Sequence, residues 1–164
     1  MHHTKDTESS FKILSKLLTK KGMISIYVYR KKGPLREFAD DHIRESTIKM
    51  SEKQCMEFSK SMALLGKSLS QIKKKITIKE DIPLLEIKAG TYDVQRFLYW
   101  NFLKCWWSPD VPFDQSVATN YDWYFPKFAY RHSEKEITKW FKDIKLKIIH
   151  FNEIESGFSI SAKK

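Results

Sequence analysis

Glycine is scarce in this 164-residue chain: Gly22, Gly33, Gly66, Gly90 and Gly157 are the only five. No two stand close enough to form a G-x-G, a P-loop or another phosphate-cradling turn. The usual mononucleotide and dinucleotide sites are therefore excluded from these residues. Cysteine is scarcer still, with only Cys55 and Cys105, and no Cys/His ligand spacing surrounds either. That excludes a disulfide scaffold and a zinc finger and points to a reducing, cytoplasmic setting. No run of about 18 apolar residues occurs, so no membrane-spanning helix is expected. The opening Met1-His2-His3-Thr4-Lys5-Asp6 lacks the apolar stretch of a secretory signal.

Arginine is sparse too, which qualifies the charge. The formal net charge is +10, but Arg30, Arg36, Arg44, Arg96 and Arg131 are the only arginines among 30 basic residues. Residues 1–90 hold 19 basic and 11 acidic side chains, whereas residues 91–164 hold 11 and 9. Base reading and bidentate phosphate contacts favour arginine. Lysine scattered on helix faces, the Lys73-Lys74-Lys75 cluster included, reads as solvated surface. A basic nucleic-acid-binding domain is therefore an alternative, not the favoured reading.

With 41% hydrophobic and 30% charged residues, the chain has the composition of a folded protein, and its length suits one domain or part of a larger one. Asp6-Thr7-Glu8-Ser9-Ser10 is a helix start, with Phe11, Leu14, Leu17 and Leu18 at helical spacing behind it. Lys20-Lys21-Gly22 is the stop, the glycine being able to adopt a left-handed conformation. Met23-Ile24-Ser25-Ile26-Tyr27-Val28-Tyr29 then reads as a strand covered on both faces. Pro34 suits the first turn of a short helix carrying Leu35, Phe38, Ala39 and Ile43. Ser51 and Gln54 form a capping box ahead of Phe58, Met62, Leu65, Leu69, Ile72 and Ile76, a seam for helix packing.

Pro83 and Gly90 bracket a link without clear pattern, and Thr91 is a candidate cap for a helix through Val94, Phe97, Leu98, Asn101 and Cys105. A loop of some 25 residues follows, up to His132. Ser133 and Glu136 make a second capping box, opening a helix that buries Ile137, Trp140, Phe141 and Ile144. A strand over residues 145–151, a turn at Glu155-Ser156-Gly157 and a strand alternating Phe158, Ile160 and Ala162 with serines complete an antiparallel pair.

The two ends of the chain resemble the second half of class I S-adenosylmethionine-dependent methyltransferases. His2-His3-Thr4-Lys5-Asp6, the helix to Leu18, Lys21-Gly22 and the strand ending in Val28-Tyr29 are similar to a Leu-His-His triplet, its helix, a Lys-Pro-Gly-Gly turn and the fifth strand. Tyr130-Arg131-His132-Ser133-Glu134-Lys135-Glu136, Trp140-Phe141 and the closing hairpin are similar to the last helix and the sixth and seventh strands. Met1 stands where that family has leucine, and Lys20-Lys21-Gly22-Met23 lacks the proline and one glycine.

The resemblance implies an α/β fold, the C-terminal half of a Rossmann-like sheet. Residues 1–30 and 128–164 would form that core, with residues 31–127 an inserted helical, aromatic-rich cap. It implies S-adenosylmethionine as cofactor and an unidentified methyl acceptor. The Gly-rich cofactor loop and the ribose-binding acid of the family are absent from this chain. The sheet is thus expected to keep three strands and one open edge, to which a missing half or another chain could pair.

His2 and His3 would then stand at the carboxyl end of a strand, where open α/β sheets bind ligands. They either line the cofactor cleft, with one of them a candidate base, or pack and cap the next helix. Residues 92–130 hold 14 of the 23 aromatic residues. Tyr121, Asp122, Trp123 and Tyr124, in chain read as irregular, and Arg131 are the candidate substrate contacts, against the plainer reading of a cap's own core. Arg36, Asp40 and Arg44 share a helix face and read as solvated i,i+4 pairs. No metal site is expected, since adjacent Asp40, Asp41 and His42 diverge on a helix. His132 reads as the residue before a cap, and His150 as a partly buried strand histidine. A second class of function is an accessory module that docks on a partner chain supplying the cofactor half.

The glycine deficit makes a direct prediction. Calorimetric titration of the chain alone with S-adenosylmethionine should detect no tight binding; a micromolar or tighter site would contradict it.

Overall fold

Proline, serine and aspartate punctuate this chain where its helices start. The computed structural model describes residues 1–154 and 156–164; Glu155, in the expected final turn, lies outside the described residues. The fold is α/β, and the chain divides into two compact units, residues 1–31 with 127–164, and residues 32–126.

In the first unit, α1 (Thr7–Lys16) starts where the Asp6 carboxylate accepts from the Ser9 amide. Helix α6 (Glu134–Asp143) starts with the full Ser133/Glu136 capping box. Four strands, β1 (Met23–Arg30), β4 (Arg131–His132), β5 (Lys147–Glu153) and β6 (Gly157–Lys163), form a sheet in the order β4-β1-β6-β5. Strand β4 is parallel to β1, while β6 is antiparallel to both β1 and β5. The sheet thus has four strands, not three, although β4 contributes only two residues.

Alternation decides which face of this sheet is buried. Ile26 and Val28 of β1 and Phe158, Ile160 and Ala162 of β6 meet Phe11 of α1 and Ile137, Trp140 and Phe141 of α6 in one core. The opposite face carries Ser25 and Ser161, whose hydroxyls share a hydrogen bond of 2.8 Å, and Tyr27, whose hydroxyl donates to Ser156 at 2.6 Å. Strand β1 is therefore covered on one face along its length, not on both. Helix α1 also differs from expectation. Thr7, Phe11 and Ser15 are its buried stripe, and Leu14 and Leu17 are exposed. Gly22 does not take a positive φ; its Cα lies so close to the Thr19 backbone that a Cβ would approach the Thr19 nitrogen to 2.9 Å. His150 is exposed.

The second unit contains α2 (Pro34–Thr47), α3 (Glu52–Ser70), α4 (Val94–Asn101) and α5 (Phe113–Tyr124), with an antiparallel pair of short strands, β2 (Lys75–Ile78) and β3 (Gly90–Asp93). Pro34 opens α2 and the Ser51/Gln54 box opens α3. Asp93, not Thr91, caps α4 by accepting from the Arg96 amide. Helix α5 occupies the stretch read as loop. The α3 seam is also shifted: Cys55, Ser59, Met62, Ala63 and Gly66 are buried, whereas Leu65 and Ile72 are exposed. Small residues let neighbouring backbone approach, and a side chain at Gly66 would collide with the Cys105 carbonyl.

Helix α2 reverses the expected polarity. Its buried stripe is Arg36, Asp40, Arg44 and Thr47, and Phe38 is 73% exposed. Arg36 Nε donates to Asp40 at 2.8 Å with both side chains wholly buried, and Arg36 Nη1 donates to the Tyr99 carbonyl. Arg44 donates to the Trp123 and Pro126 carbonyls at 2.5 and 2.6 Å, and Thr47 to the Tyr124 carbonyl at 2.8 Å. These groups satisfy carbonyls that the end of α5 leaves without intrahelical donors.

Breaking such a pair strands a buried charge, which typically costs about 3–5 kcal/mol. Urea denaturation followed by tryptophan fluorescence should show a loss of that order for Asp40→Ala. The double change Arg36→Met/Asp40→Leu, which removes both charges, should lose less; a larger loss for the double variant would refute the assignment.

Candidate functional site

The parallel strands β1 and β4 end side by side, and their carboxyl ends gather the polar groups of the first unit. Arg131 and His132 register against Tyr29 and Arg30, and the Lys31 amide donates to the His132 carbonyl at 2.9 Å. Residues 1–3 lie against the same end. The Tyr130 amide donates to the His2 carbonyl at 2.9 Å. His2 is buried, its ring centroid 3.9 Å from that of Tyr29 and 4.3 Å from that of His3. His2 Nδ1 lies 3.4 Å from the Tyr27 carbonyl, and His3 Nδ1 lies 2.7 Å from the Phe128 carbonyl.

A ring nitrogen facing a carbonyl must carry the proton, which makes Nε2 of each neutral ring the acceptor. The two histidines therefore tie residues 1–3 to β1 and to the segment entering β4. Of the two sequence readings, packing is the one these contacts describe.

Beside them, a cleft of 520 Å³ opens between the first turns of α1 and α6, lined by Lys5, Asp6, Thr7, Glu8, Tyr130, His132, Glu136, Lys139 and Trp140. Lys5 and Lys139 face three carboxylates there, and Tyr130 and Trp140 supply aromatic wall. His132 Nε2 is buried with no hydrogen-bond partner among the described residues, and the ring meets Trp140 edge-on at 4.7 Å. Burial depresses the His132 pKa; the Glu136 charge opposes that and the Lys31 charge reinforces it. Burial would raise the Glu136 pKa, but hydrogen bonds from the Ser133 backbone and hydroxyl, and then Lys31, outweigh it and bring the carboxyl to about 2. The cleft thus pairs a neutral imidazole with a fixed carboxylate. Sequence reading flagged Ser133 and Glu136 only as a cap; nothing in the pattern marked the cleft itself.

The candidate substrate residues are not one cluster. Arg131 belongs to the first unit, and Tyr121, Asp122, Trp123 and Tyr124 to the last turn of α5 in the second. Trp123 and Tyr124 are buried in that unit's interior, where the Tyr124 hydroxyl donates to the Lys104 carbonyl at 2.9 Å. Burial pushes the Tyr124 phenol well above its usual range, with Asp40 adding to the effect. Asp122 is exposed, and Tyr121 stacks on Phe125 at 4.7 Å. No group of three or more His, Cys, Asp or Glu residues suited to a metal occurs among the described residues. No helix among them is long and apolar enough to cross a membrane.

Comparison with protein-family models, with curated proteins and with solved structures gives no match.

The His132 environment sets a pH dependence. A histidine whose pKa is lowered on folding binds fewer protons folded than unfolded, so stability falls as pH drops through its unfolded value of 6.5. The His132 C2 proton should titrate below 6.5, and His132→Phe, which keeps a ring against Trp140, should lose less stability than the parent between pH 7 and 5. A His132 midpoint at or above 6.5 would contradict the burial argument.

Proposed function

We propose that this chain is the C-terminal part of an S-adenosylmethionine-dependent methyltransferase, with the cofactor half supplied by other polypeptide. The observation that carries this reading is the strand order β1-β6-β5, a reversed strand between two that run parallel to each other. That arrangement is the one the resemblance implies for the end of the sheet. The acceptor is unidentified. Arg131, at the carboxyl end of β4, is the favoured acceptor contact on the first unit.

The residues present do not make a cofactor site by themselves. An adenosyl cofactor needs backbone it can approach closely, and the glycines serve other ends. Gly33, Gly66 and Gly157 are pressed against the Leu85, Cys105 and Val28 carbonyls, Gly22 against Thr19 and Gly90 against the Tyr92 ring. None is left to cradle a ligand, so no catalytic step is assigned to this chain alone. The cofactor supplies an electrophilic methyl on a sulfonium, passed in line to a nucleophile that loses a proton. The buried His2 and Tyr29, with the half-buried His3, would form part of the floor at the strand ends.

An accessory role on a partner chain is the second reading, favoured by the incomplete pairing of β1. A fusion separates the two. Joining the full chain at Met1 to the strands and Gly-rich loop of a class I methyltransferase's N-terminal half should create a micromolar site for S-adenosylhomocysteine by calorimetry, where neither part alone binds. A cooperatively folded fusion with no such site would overturn the methyltransferase reading.

A further inference from the structure

The cleft between the first turns of α1 and α6 holds two polar atoms that the protein leaves unused. Thr7, the first residue of α1, is 3% exposed, and its hydroxyl is its one polar side-chain group. That oxygen has no hydrogen-bond partner among the described residues, and neither has Nε2 of His132. Both residues line the cleft, whose 520 Å³ is the size of a small-molecule site. A buried polar atom without a partner is costly, so two at one place mark where a ligand's own groups belong.

The charges around the cleft decide what kind of ligand this is, because each is already matched. Glu8 pairs with Lys12 at 2.6 Å, Glu136 with Lys31 at 3.2 Å and Lys139 with Asp143 at 2.5 Å. With Lys5 and Asp6, one of each sign, the cleft carries no net charge. Helix starts ordinarily attract anions, but here the caps occupy their amides. The Ser9 amide donates to the Asp6 carboxylate at 2.9 Å, and the Glu136 amide to Ser133 Oγ at 3.2 Å. An anion would also meet the carboxylates of Asp6, Glu8 and Glu136. A cation would meet Lys5, Lys139 and two positive helix ends. His132 adds no charge, since burial keeps its ring neutral at pH 7.

A neutral group that both donates and accepts suits the two atoms. The Thr7 hydroxyl can do either, and Nε2 of a neutral imidazole does one or the other according to its tautomer. An alcohol hydroxyl satisfies every one of these cases. Tyr130 supplies the remaining wall. It is 41% exposed, and Phe128 stacks on it with centroids 6.1 Å apart and planes 13° from parallel. A braced, half-exposed aromatic ring is a platform for an apolar surface, and its negative face attracts C–H groups. Sugars combine the two features, with hydroxyls around the rim and C–H bonds on the faces. We propose that this cleft binds a neutral sugar, its hydroxyls bonded to Thr7 Oγ1 and His132 Nε2 and its C–H face against Tyr130. This goes beyond the methyltransferase reading and stands on the cleft alone; failure of the fusion to bind cofactor leaves it intact.

NMR titration of the full chain tests it. The neutral probes are the methyl glycosides of glucose, galactose, mannose, ribose and xylose; the charged ones are glucosamine, glucose 6-phosphate and inorganic phosphate. At least one glycoside should shift the Thr7 amide and the His132 C2 proton saturably, at millimolar concentration or below. Every charged probe should need at least tenfold more than the best glycoside. Thr7→Val replaces the hydroxyl with a methyl of the same shape. It should unfold at the same urea concentration as the parent or a higher one, yet lose at least tenfold in affinity. His132→Phe, which keeps the ring against Trp140, should lose affinity too. Saturation by none of the glycosides, or a charged probe binding within tenfold of the best one, would overturn the proposal. So would a less stable Thr7→Val, which would give the hydroxyl a structural partner, or undiminished binding by that variant when folded.

Discussion

The second unit is organised around an ion pair with no access to water, Arg36 and Asp40 on successive turns of α2. Burying two charges carries a desolvation cost of several kcal/mol each, so the pair persists only because its geometry and further hydrogen bonds offset that cost. Arg36 supplies them by donating to the Tyr99 carbonyl and by lying 5.0 Å from the Tyr99 ring centroid and 5.5 Å from that of Trp123. Once the pair is buried, its whole helix face is committed to the interior. Arg44 and Thr47 follow one and two turns on and reach the carbonyls at the end of α5. Asn120 then holds both the amide and the carbonyl of Trp106, and Gln95 donates to the Cys105 carbonyl. An irregular stretch of chain is thereby fixed by side chains standing in for a missing strand partner. Trp123 and Tyr124 are consumed by this interior. That is why an aromatic cluster with the composition of a binding site contributes little exposed surface.

The first unit obeys a different constraint. Its one core sits on one face of the sheet, under α1 and α6, and the reversed strand β6 lies between β1 and β5. Polar groups gather at the carboxyl ends of β1 and β4, where strand ends meet helix starts and backbone amides point outward. His2 and His3 belong to that end, but each spends its Nδ1 on a main-chain carbonyl. Their contribution is to hold the start of the chain beside β1. The cleft with His132 and Glu136 lies next to them and is the part of this end with room for a ligand.

Much of the first unit was legible because local chemistry and global packing agree there. Asp6, Ser133 and Glu136 satisfy helix-end amides wherever the rest of the chain goes, and Phe158, Ile160 and Ala162 alternate with serine because one face of β6 is covered and the other is not. The second unit hid its pattern for a physical reason. A hydrophobic-periodicity reading puts Phe38 inside and Arg36 outside, and the ion pair inverts both. Ser116 and Asn120 break the apolar stripe of α5 in the same way, so a twelve-residue helix reads as loop. In α3 four of the five buried positions, Cys55, Ser59, Ala63 and Gly66, are small, the Cys105 carbonyl packs against Gly66, and the larger Leu65 is left outside. The His132 cleft was illegible because it joins the starts of two helices more than a hundred residues apart.

The two edges of the sheet show how far this chain manages its own surface. The outer strand β5 presents Lys147 and His150 to solvent and carries an irregularity in its register between Ile148 and His150. Charge and broken register are the usual means by which a natural edge resists pairing. Strand β1 has neither over Met23–Tyr29: the run is uncharged, it contains no proline, and its seven residues pair with β6 without a break. A chain under no constraint at that edge would gain from a lysine at Ser25 or at Ile13 and Leu17 above it. The asymmetry is explained if one edge is permanently outside and the other is made to be covered.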